Sequence, residues 1–395
     1  MAKARIAVVD AMLGQRGKGT GSTSIWILEA LKGRYAVDLI TFGKPDFAAL
    51  NSYWGTSIEP EDVKVVKIPH PFLGRTRRWT AIRHAYIGRF CRRVAGDYDV
   101  MFSTYNVMDF GQRGMQYVAD FLFSDDLRRG FYENSAMEAP GLFYRQNLLR
   151  RLYLGISAAI YSPSWKMIRS NLTIANSFWS QRVLRESLSM DSRVIYPFIK
   201  GDFPVVPWDG KEPGFVCIGK LTPFKRIEDA ISIVGRVREE FPDIHLHIIG
   251  WIEDVAYADK ILSLCRANDG WCHREGEMAG ERKRDFIASH KFGISCCRNE
   301  AFGLGVAEVV KSGGIAWVPN GGGQVEIADH SDLIYDDQAS AVKKIGRVLA
   351  DGLSQERLLA HLRSRAERFG WDVYHKEIRR AVEEFLEQKG FPDTF

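Results

Sequence analysis

The sequence predicts an α/β protein built from two Rossmann-like doubly wound domains. Three observations carry that expectation. At 395 residues the chain exceeds what one hydrophobic core usually organises. Its first half opens as strand, glycine-rich turn, helix and strand, and after a proline-crowded segment a second series of strands and helices alternates at nearly even spacing.

Taken in order, residues 5–10 read as a buried strand, 14–21 as the turn, 22–31 as a helix opened by serine and threonine, and 36–41 as the next strand. Short apolar runs at 63–68, 100–104, 115–121 and 172–175, separated by helical stretches, continue a parallel sheet covered on both faces. Between residues 194 and 213 the pattern stops, because Pro197, Pro204, Pro207 and Pro213 continue neither helix nor sheet. The expected units are therefore a first domain over 1–198, a linker over 199–213 and a second domain over 214–372. Residues 373–395 form an amphipathic helix free to dock on any exposed surface, a return to the first domain included.

Composition narrows the class. Hydrophobic residues at 46 % and charged residues at 26 % exclude disordered, collagen-like and coiled-coil chains. No apolar run approaches the roughly 18 to 20 residues of a membrane span, and the stretch before Asp10 is too short for a signal sequence. Cys91, Cys217, Cys265, Cys272, Cys296 and Cys297 contain no CxxC pair and read as reduced thiols, so a cytoplasmic protein, soluble or peripheral on a membrane, is expected.

The sharpest chemical feature is Arg298-Asn-Glu300-Ala-Phe302-Gly303-Leu304-Gly-Val-Ala-Glu308, which leaves a strand and enters a helix. A helix N-terminus at the end of a parallel strand is a natural anion seat, and two flanking carboxylates suit hydroxyl-rich groups on either side of a phosphate. The structural alternative has Glu300 capping the helix and Glu308 solvated. Several other signals read as structural. Asp97-Tyr98-Asp99 precedes its strand and so lies away from the site-bearing edge, which with the rest of the chain predicts no metal. GQRGKGT has the wrong spacing for a P-loop. His245 and His247 share one strand face, without a cysteine or carboxylate cluster nearby in sequence, and are expected to face core or helix rather than a ligand.

With SGGIAWVPNGGGQVEI following, this carboxylate motif resembles the retaining family 4 glycosyltransferases of the GT-B fold, in which two such domains face each other across a cleft. Among them it is most similar to the mannosyltransferases that build lipid-linked glycans. GFVCIGKLTPFKRIEDAI, NLTIANSFWSQRVLRE, VIYPFIKGDF and FGWDVYHKEI extend the resemblance. It implies that Glu300 binds donor-sugar hydroxyls, Glu308 the nucleotide ribose, and the backbone of Phe302, Gly303 and Leu304 the diphosphate. Lys220, beside the Gly219 turn, and Lys225 would neutralise that diphosphate, Lys220 standing where the family more often has arginine. Gly19 and Gly21 match the family's first strand-to-helix turn, where phosphate or acceptor comes close. Asp120 occupies the place of a family histidine, and either accepts a hydrogen bond from a sugar hydroxyl or ends a strand.

The resemblance further implies a retaining, metal-independent transfer of a hexose with no cofactor. GDP-mannose is the favoured donor and a UDP-hexose the second. A soluble phosphorylase or disaccharide-phosphate synthase, or a silent sugar-nucleotide-binding protein, are the alternatives. Residues 1–200 carry 28 basic and 17 acidic side chains. Arg75, Arg77, Arg78, Arg83, Arg89, Arg92 and Arg93 interleave with Trp79, Tyr86 and Phe90, and Arg145, Arg150 and Arg151 repeat the character. That excess suits an anionic membrane surface and a lipid-linked or saccharide acceptor; no nucleic-acid module accompanies it, so nucleic acid is not an expected partner.

Overall fold

A computed structural model describes residues 3–11, 13, 19–69, 79–104, 107–121, 123–132, 148–199 and 201–390. The first sheet has strands β1 (Arg5–Val9), β2 (Ala36–Thr41), β3 (Val63–Lys67), β4 (Val100–Ser103), β5 (Met115–Val118), β6 (Leu172–Ala175) and β7 (Arg193–Val194). All pair in parallel, in the order β3-β2-β1-β4-β5-β6-β7. Around it lie α1 (Gly19–Leu31), α2 (Phe47–Trp54), α3 (Thr80–Val94), α4 (Asp125–Tyr132), α5 (Leu148–Ile160), α6 (Trp165–Ser170) and α7 (Phe178–Leu188).

The second sheet repeats the plan with β8 (Glu212–Ile218), β9 (His245–Ile249), β10 (Cys272–Gly276), β11 (His290–Ile294), β12 (Ile315–Pro319) and β13 (Ile334–Tyr335), in the order β10-β9-β8-β11-β12-β13. Its helices are α8 (Ile227–Val237), α9 (Val255–Ala267), α10 (Gly280–Ala288), α11 (Leu304–Lys311), α12 (Val325–Ala328), α13 (Gln338–Leu349) and α14 (Gly352–Ala366). Strand β8 begins inside the segment whose prolines suggest a linker: Pro213 sits next to its first residue, a position where the missing N–H is tolerated.

Apolar side chains on both faces explain why these strands read as continuous hydrophobic runs. Strands β1, β4, β5 and β12 are buried over nearly their whole length. One core fills each side of the first sheet, and a larger one surrounds the second, centred on Phe215, Phe292 and Trp317.

The last helix, α15 (Trp371–Glu387), leaves the second domain and closes the first. Tyr374, Ile378, Ala381, Val382, Phe385 and Leu386 fall on one helical stripe and join Ile25, Trp26 and Leu28 of α1 in the first core. Arg379 Nε donates to the Ala30 carbonyl at 2.6 Å, and Arg34 pairs with Glu383 at 2.6 Å. Where the chain crosses back it meets the outgoing crossing: Ile199 N–H donates to the Phe369 carbonyl at 3.0 Å, and Phe198 packs edge-on against Trp371. Among the described residues no helix is long and apolar enough to cross a membrane, and all six cysteines are free and buried.

Candidate functional site

In each sheet the strand order reverses beside its first strand, between β1 and β4 and between β8 and β11. Loops leaving the carboxyl ends of such neighbours diverge and open a crevice, where ligands of open α/β sheets bind. In the second domain those loops carry Gly219 and Lys220 after β8, and Asn299 and Glu300 after β11.

Lys225 turns back across this crevice and its ammonium donates to Glu300 Oε2. Both side chains are largely shielded from water. Burial pushes the Glu300 carboxyl up, but the Lys225 charge and hydrogen bond, helped by a hydrogen bond from Cys297 and by Lys220, outweigh it and hold Glu300 below the ordinary carboxylate range. Burial likewise pushes the Lys225 ammonium down, and Glu300 holds it above the ordinary lysine value. The pair is thus ionised at neutral pH. Its stabilising contribution is complete above the unfolded carboxyl's pKa and is lost as pH falls through the depressed folded value. Arg226, the next residue, has φ 50°, a left-handed conformation that side chains other than glycine seldom adopt. Its guanidinium is fixed by Asp229 at 2.5 Å, which ends the turn and starts α8.

Helix α11 aims its N-terminus into the same crevice. Gly303, at φ 105°, sits at the cap, where a Cβ would lie 2.8 Å from Gln324 Cβ. Gly305 lets the first turn press on β8, since a Cβ there would come 2.8 Å from Ile218 Cβ. Phe302 is 2 % exposed and its ring packs between Tyr196 and Phe369, so the side chain anchors the loop and leaves only main chain for a ligand. Leu304 opens the helix itself. Behind the loop, Gly323 N–H donates to the Glu300 carbonyl at 2.7 Å, and a Cβ at Gly322 would sit 2.5 Å from that oxygen. Gln324, fully buried, donates from Nε2 to the Cys297 carbonyl at 2.5 Å.

One turn further, Glu308 is gripped by Lys283 of α10, whose Nζ lies 2.7 Å from both carboxylate oxygens. The alternatives of a helix-capping Glu300 and a solvated Glu308 are both overturned: α11 has no side-chain cap, and each glutamate is ion-paired. Lys283 escapes sequence reasoning because it sits in a charged helix, ERKRDF, in which no lysine or arginine stands out.

The first domain holds this loop directly. Ser177, which follows β6 and caps α7, donates from Oγ to the Ala301 carbonyl at 2.6 Å, and Ser180 donates to the same oxygen at 3.2 Å. Asn299 Nδ2 donates to the Phe131 carbonyl at 3.0 Å. Glu326 of α12 accepts from the N–H groups of Phe178 and Trp179 at 3.0 and 2.8 Å, a carboxylate on the N-terminus of α7, and from Tyr196 Oη at 2.7 Å. The carboxyl edges of the two sheets therefore confront one another across one gap. Asp120 follows β5 at that edge, half-buried, and Gly19 and Gly21 lie in the first turn of α1 beyond β1. Most of the glycine-rich turn that precedes them lies outside the described residues. Buried Asp10 accepts from Ser24 Oγ, which is 2.6 Å from Thr104 Oγ1, tying the ends of β1 and β4 together behind that turn.

Not every expectation survives. Arg83 and Arg150 are buried, so these two belong to the fold and not to a membrane-facing cluster, whereas Arg89, Arg92 and Arg93 are exposed, Arg92 with Nη2 2.5 Å from Asp109 Oδ2 and its guanidinium over the Tyr161 ring. Arg75, Arg77, Arg78 and Arg145 lie outside the described residues. Asp99 Oδ2 accepts from Arg5 N–H at the amino edge of the sheet, as its position in sequence implies.

Residues 199–368 match the family model described as glycosyl transferases group 1. Similar solved structures span nearly the whole chain. Sucrose-phosphate synthase from Thermosynechococcus elongatus is 15 % identical with a TM-score of 0.69, over 98 % of this chain and 100 % of that one. HepE from Anabaena, in complex with UDP-glucose, is 14 % identical with a TM-score of 0.67, over 96 % and 100 %. WaaG, a glycosyltransferase involved in lipopolysaccharide biosynthesis, is 14 % identical with a TM-score of 0.64, over 95 % and 98 %. No curated protein matches the chain in sequence. The architecture is the GT-B fold, and its second domain is matched as a group 1 glycosyltransferase domain.

Proposed function

We propose that the protein is a retaining, metal-independent hexosyltransferase. It takes a hexose from a nucleoside diphosphate donor held by the second domain and passes it to an acceptor held by the first. The observation that carries this reading is the crevice where Lys225 and Glu300 pair above the N-terminus of α11, with Glu308 fixed one turn behind. In it, Lys220, Lys225 and the first N–H groups of α11 face charge that develops on a departing diphosphate, which is where preorganised positive charge lowers a barrier most. Of the three N–H bonds of the Lys225 ammonium, one engages Glu300, so the others remain for phosphate oxygens. The Glu300 carboxylate, which also accepts from Cys297, has lone pairs left for sugar hydroxyls. The acceptor hydroxyl attacks from the side of the leaving group, whose oxygen takes the proton, and no side-chain nucleophile is needed.

Mannose from GDP-mannose is the donor favoured by the sequence resemblance, and a UDP-hexose, of the kind seen in the HepE complex, is the second. Incubation with each donor and a lipid extract tests the reading through released nucleoside diphosphate. Release that rises with the lipid is expected. Binding without release would favour a silent sugar-nucleotide protein, and release that requires a soluble sugar or sugar phosphate would favour a synthase or phosphorylase. Substituting Lys283→Ala frees the Glu308 carboxylate to rotate; a threefold to tenfold loss of nucleotide affinity, about 0.7 to 1.4 kcal/mol, is expected with the turnover rate nearly unchanged. Unchanged affinity would remove Lys283 from the site.

A lipid-linked acceptor gains support from α5. Tyr153 and Ser157 pin one face of this helix to α3 through Ala81, whose N–H donates to Tyr153 Oη at 2.8 Å. The other face leaves Leu148, Leu149, Leu152 and Ile156 exposed at 70, 64, 56 and 55 %, beside exposed Arg151. An apolar stripe with a cation suits the headgroup boundary of an anionic leaflet. The triple variant Leu148→Ser, Leu149→Ser, Leu152→Ser should lower binding to phosphatidylglycerol vesicles at least about tenfold, since each buried methylene contributes about 0.8 kcal/mol. Donor binding should be unaffected. Wild-type protein that ignores such vesicles even at low salt would make a soluble saccharide the acceptor.

A further inference from the structure

The amino edge of the second sheet holds a cluster that the donor crevice does not use. His245 opens β9, His290 opens β11, and His247 follows two residues after His245 on the same face. One ring nitrogen from each lies within 4.8 Å of the others. Between the two outer strands runs β8, and at the position beside His245 it carries Gly214. A Cβ there would stand 2.1 Å from His245 Nε2 and 2.7 Å from His290 Cδ2, so the missing side chain is what lets the rings converge.

Each imidazole is oriented from behind. His290 Nδ1 lies 2.7 Å from the Phe286 carbonyl, which only accepts, so Nδ1 carries the proton and Nε2 a lone pair. His247 Nδ1 is 2.8 Å from Glu275 Oε1, a carboxylate behind the ring. His245 is hydrogen-bonded to the Asp243 backbone. That leaves Nε2 of both His245 and His290 buried with no hydrogen-bond partner. Two adjacent orphaned lone pairs are costly in a protein interior and repel each other, and a shared cation removes both costs. Glu212 Oε2 lies 3.6 Å from His245 Nε2, too far for a hydrogen bond and close to the spacing of two ligands on one ion.

We propose that His245, His247 and His290 form a site for a divalent transition-metal ion, zinc by ligand type, with Glu212 or water as fourth ligand. Three imidazoles whose second nitrogens are held by a carboxylate or carbonyl match what zinc requires. Side-chain exposures of 20 and 14 % at His245 and His247 leave a way in. The strands beneath run some five residues, about 16 Å, to the donor crevice, so the ion braces the sheet and takes no part in transfer. Sequence reasoning discounts these histidines because it looks for partners along the chain, whereas parallel pairing through β8 supplies His290.

The test uses full-length protein stripped with chelator. Titration with Zn2+ should show one tight equivalent and raise the Tm by several degrees, and Co2+ should give the intense visible bands of a tetrahedral site without thiolate charge transfer. The His245→Gln variant should lose all three responses while still binding nucleotide. Glu275→Gln should weaken Zn2+ about 10- to 100-fold, an effect that packing alone does not produce. Wild-type protein that takes up no Zn2+, or binding that His245→Gln and Glu275→Gln leave unchanged, would overturn the site.

Discussion

Glu300→Gln is expected to lower turnover at least about 100-fold while leaving affinity for the free nucleoside diphosphate within about twofold. The amide keeps the size of the side chain but drops the charge. It removes the partner of Lys225, which at this site is shielded from water, and with it the anionic acceptor proposed for sugar hydroxyls. Interactions realised in the transition state appear in the turnover rate, and losses of about 100- to 1,000-fold are usual when one preorganised electrostatic contact is removed. Burst measurement of the first turnover against nucleotide titration separates the two effects. Turnover at the wild-type rate would detach Glu300 from the sugar.

Lys225→Ala is expected to cost as much in rate and to move the pH profile as well. In the wild type the carboxyl is raised by burial and lowered more strongly by Lys225, so Glu300 stays ionised below the usual carboxylate range. Without the ammonium, burial is opposed only by the Cys297 hydrogen bond and Lys220, and the carboxyl protonates at higher pH. The acid limb of the rate profile should therefore shift upward in the variant, together with a rate loss of about 100-fold or more at pH 7. A lysine acting only as a packing element would lower stability without displacing that limb. Lys225→Arg keeps the charge and should keep the limb in place.

Both sheets and the donor-side loop are legible in the amino-acid sequence. Buried parallel strands announce themselves as short apolar runs, and the strand-to-helix passage through Glu300 and Glu308 stands out by its glycines and its place after β11. What stays hidden depends on neighbours in space. Lys283 meets Glu308 across two helices, and Ser177 reaches Ala301 from the other domain. The arginine-rich α3 reads in sequence as a charged surface, yet Arg83 is buried and Arg92 answers Asp109, because side chains that long reach interior partners that spacing cannot reveal. Two-residue strands such as β7 and β13 carry too few residues for any period to register.

The most direct measurement is calorimetric titration of UDP and GDP, and of their hexose conjugates, into the wild type and the Glu308→Ala variant. The crevice at the carboxyl edge of the second sheet predicts saturable binding of one base family at one site per chain. It also predicts that Glu308→Ala weakens the free nucleotide and its sugar conjugate equally, because the proposed role of the carboxylate held by Lys283 is to bind the ribose and not the sugar. Binding of neither nucleotide by the wild type, or undiminished binding by Glu308→Ala, would contradict that assignment.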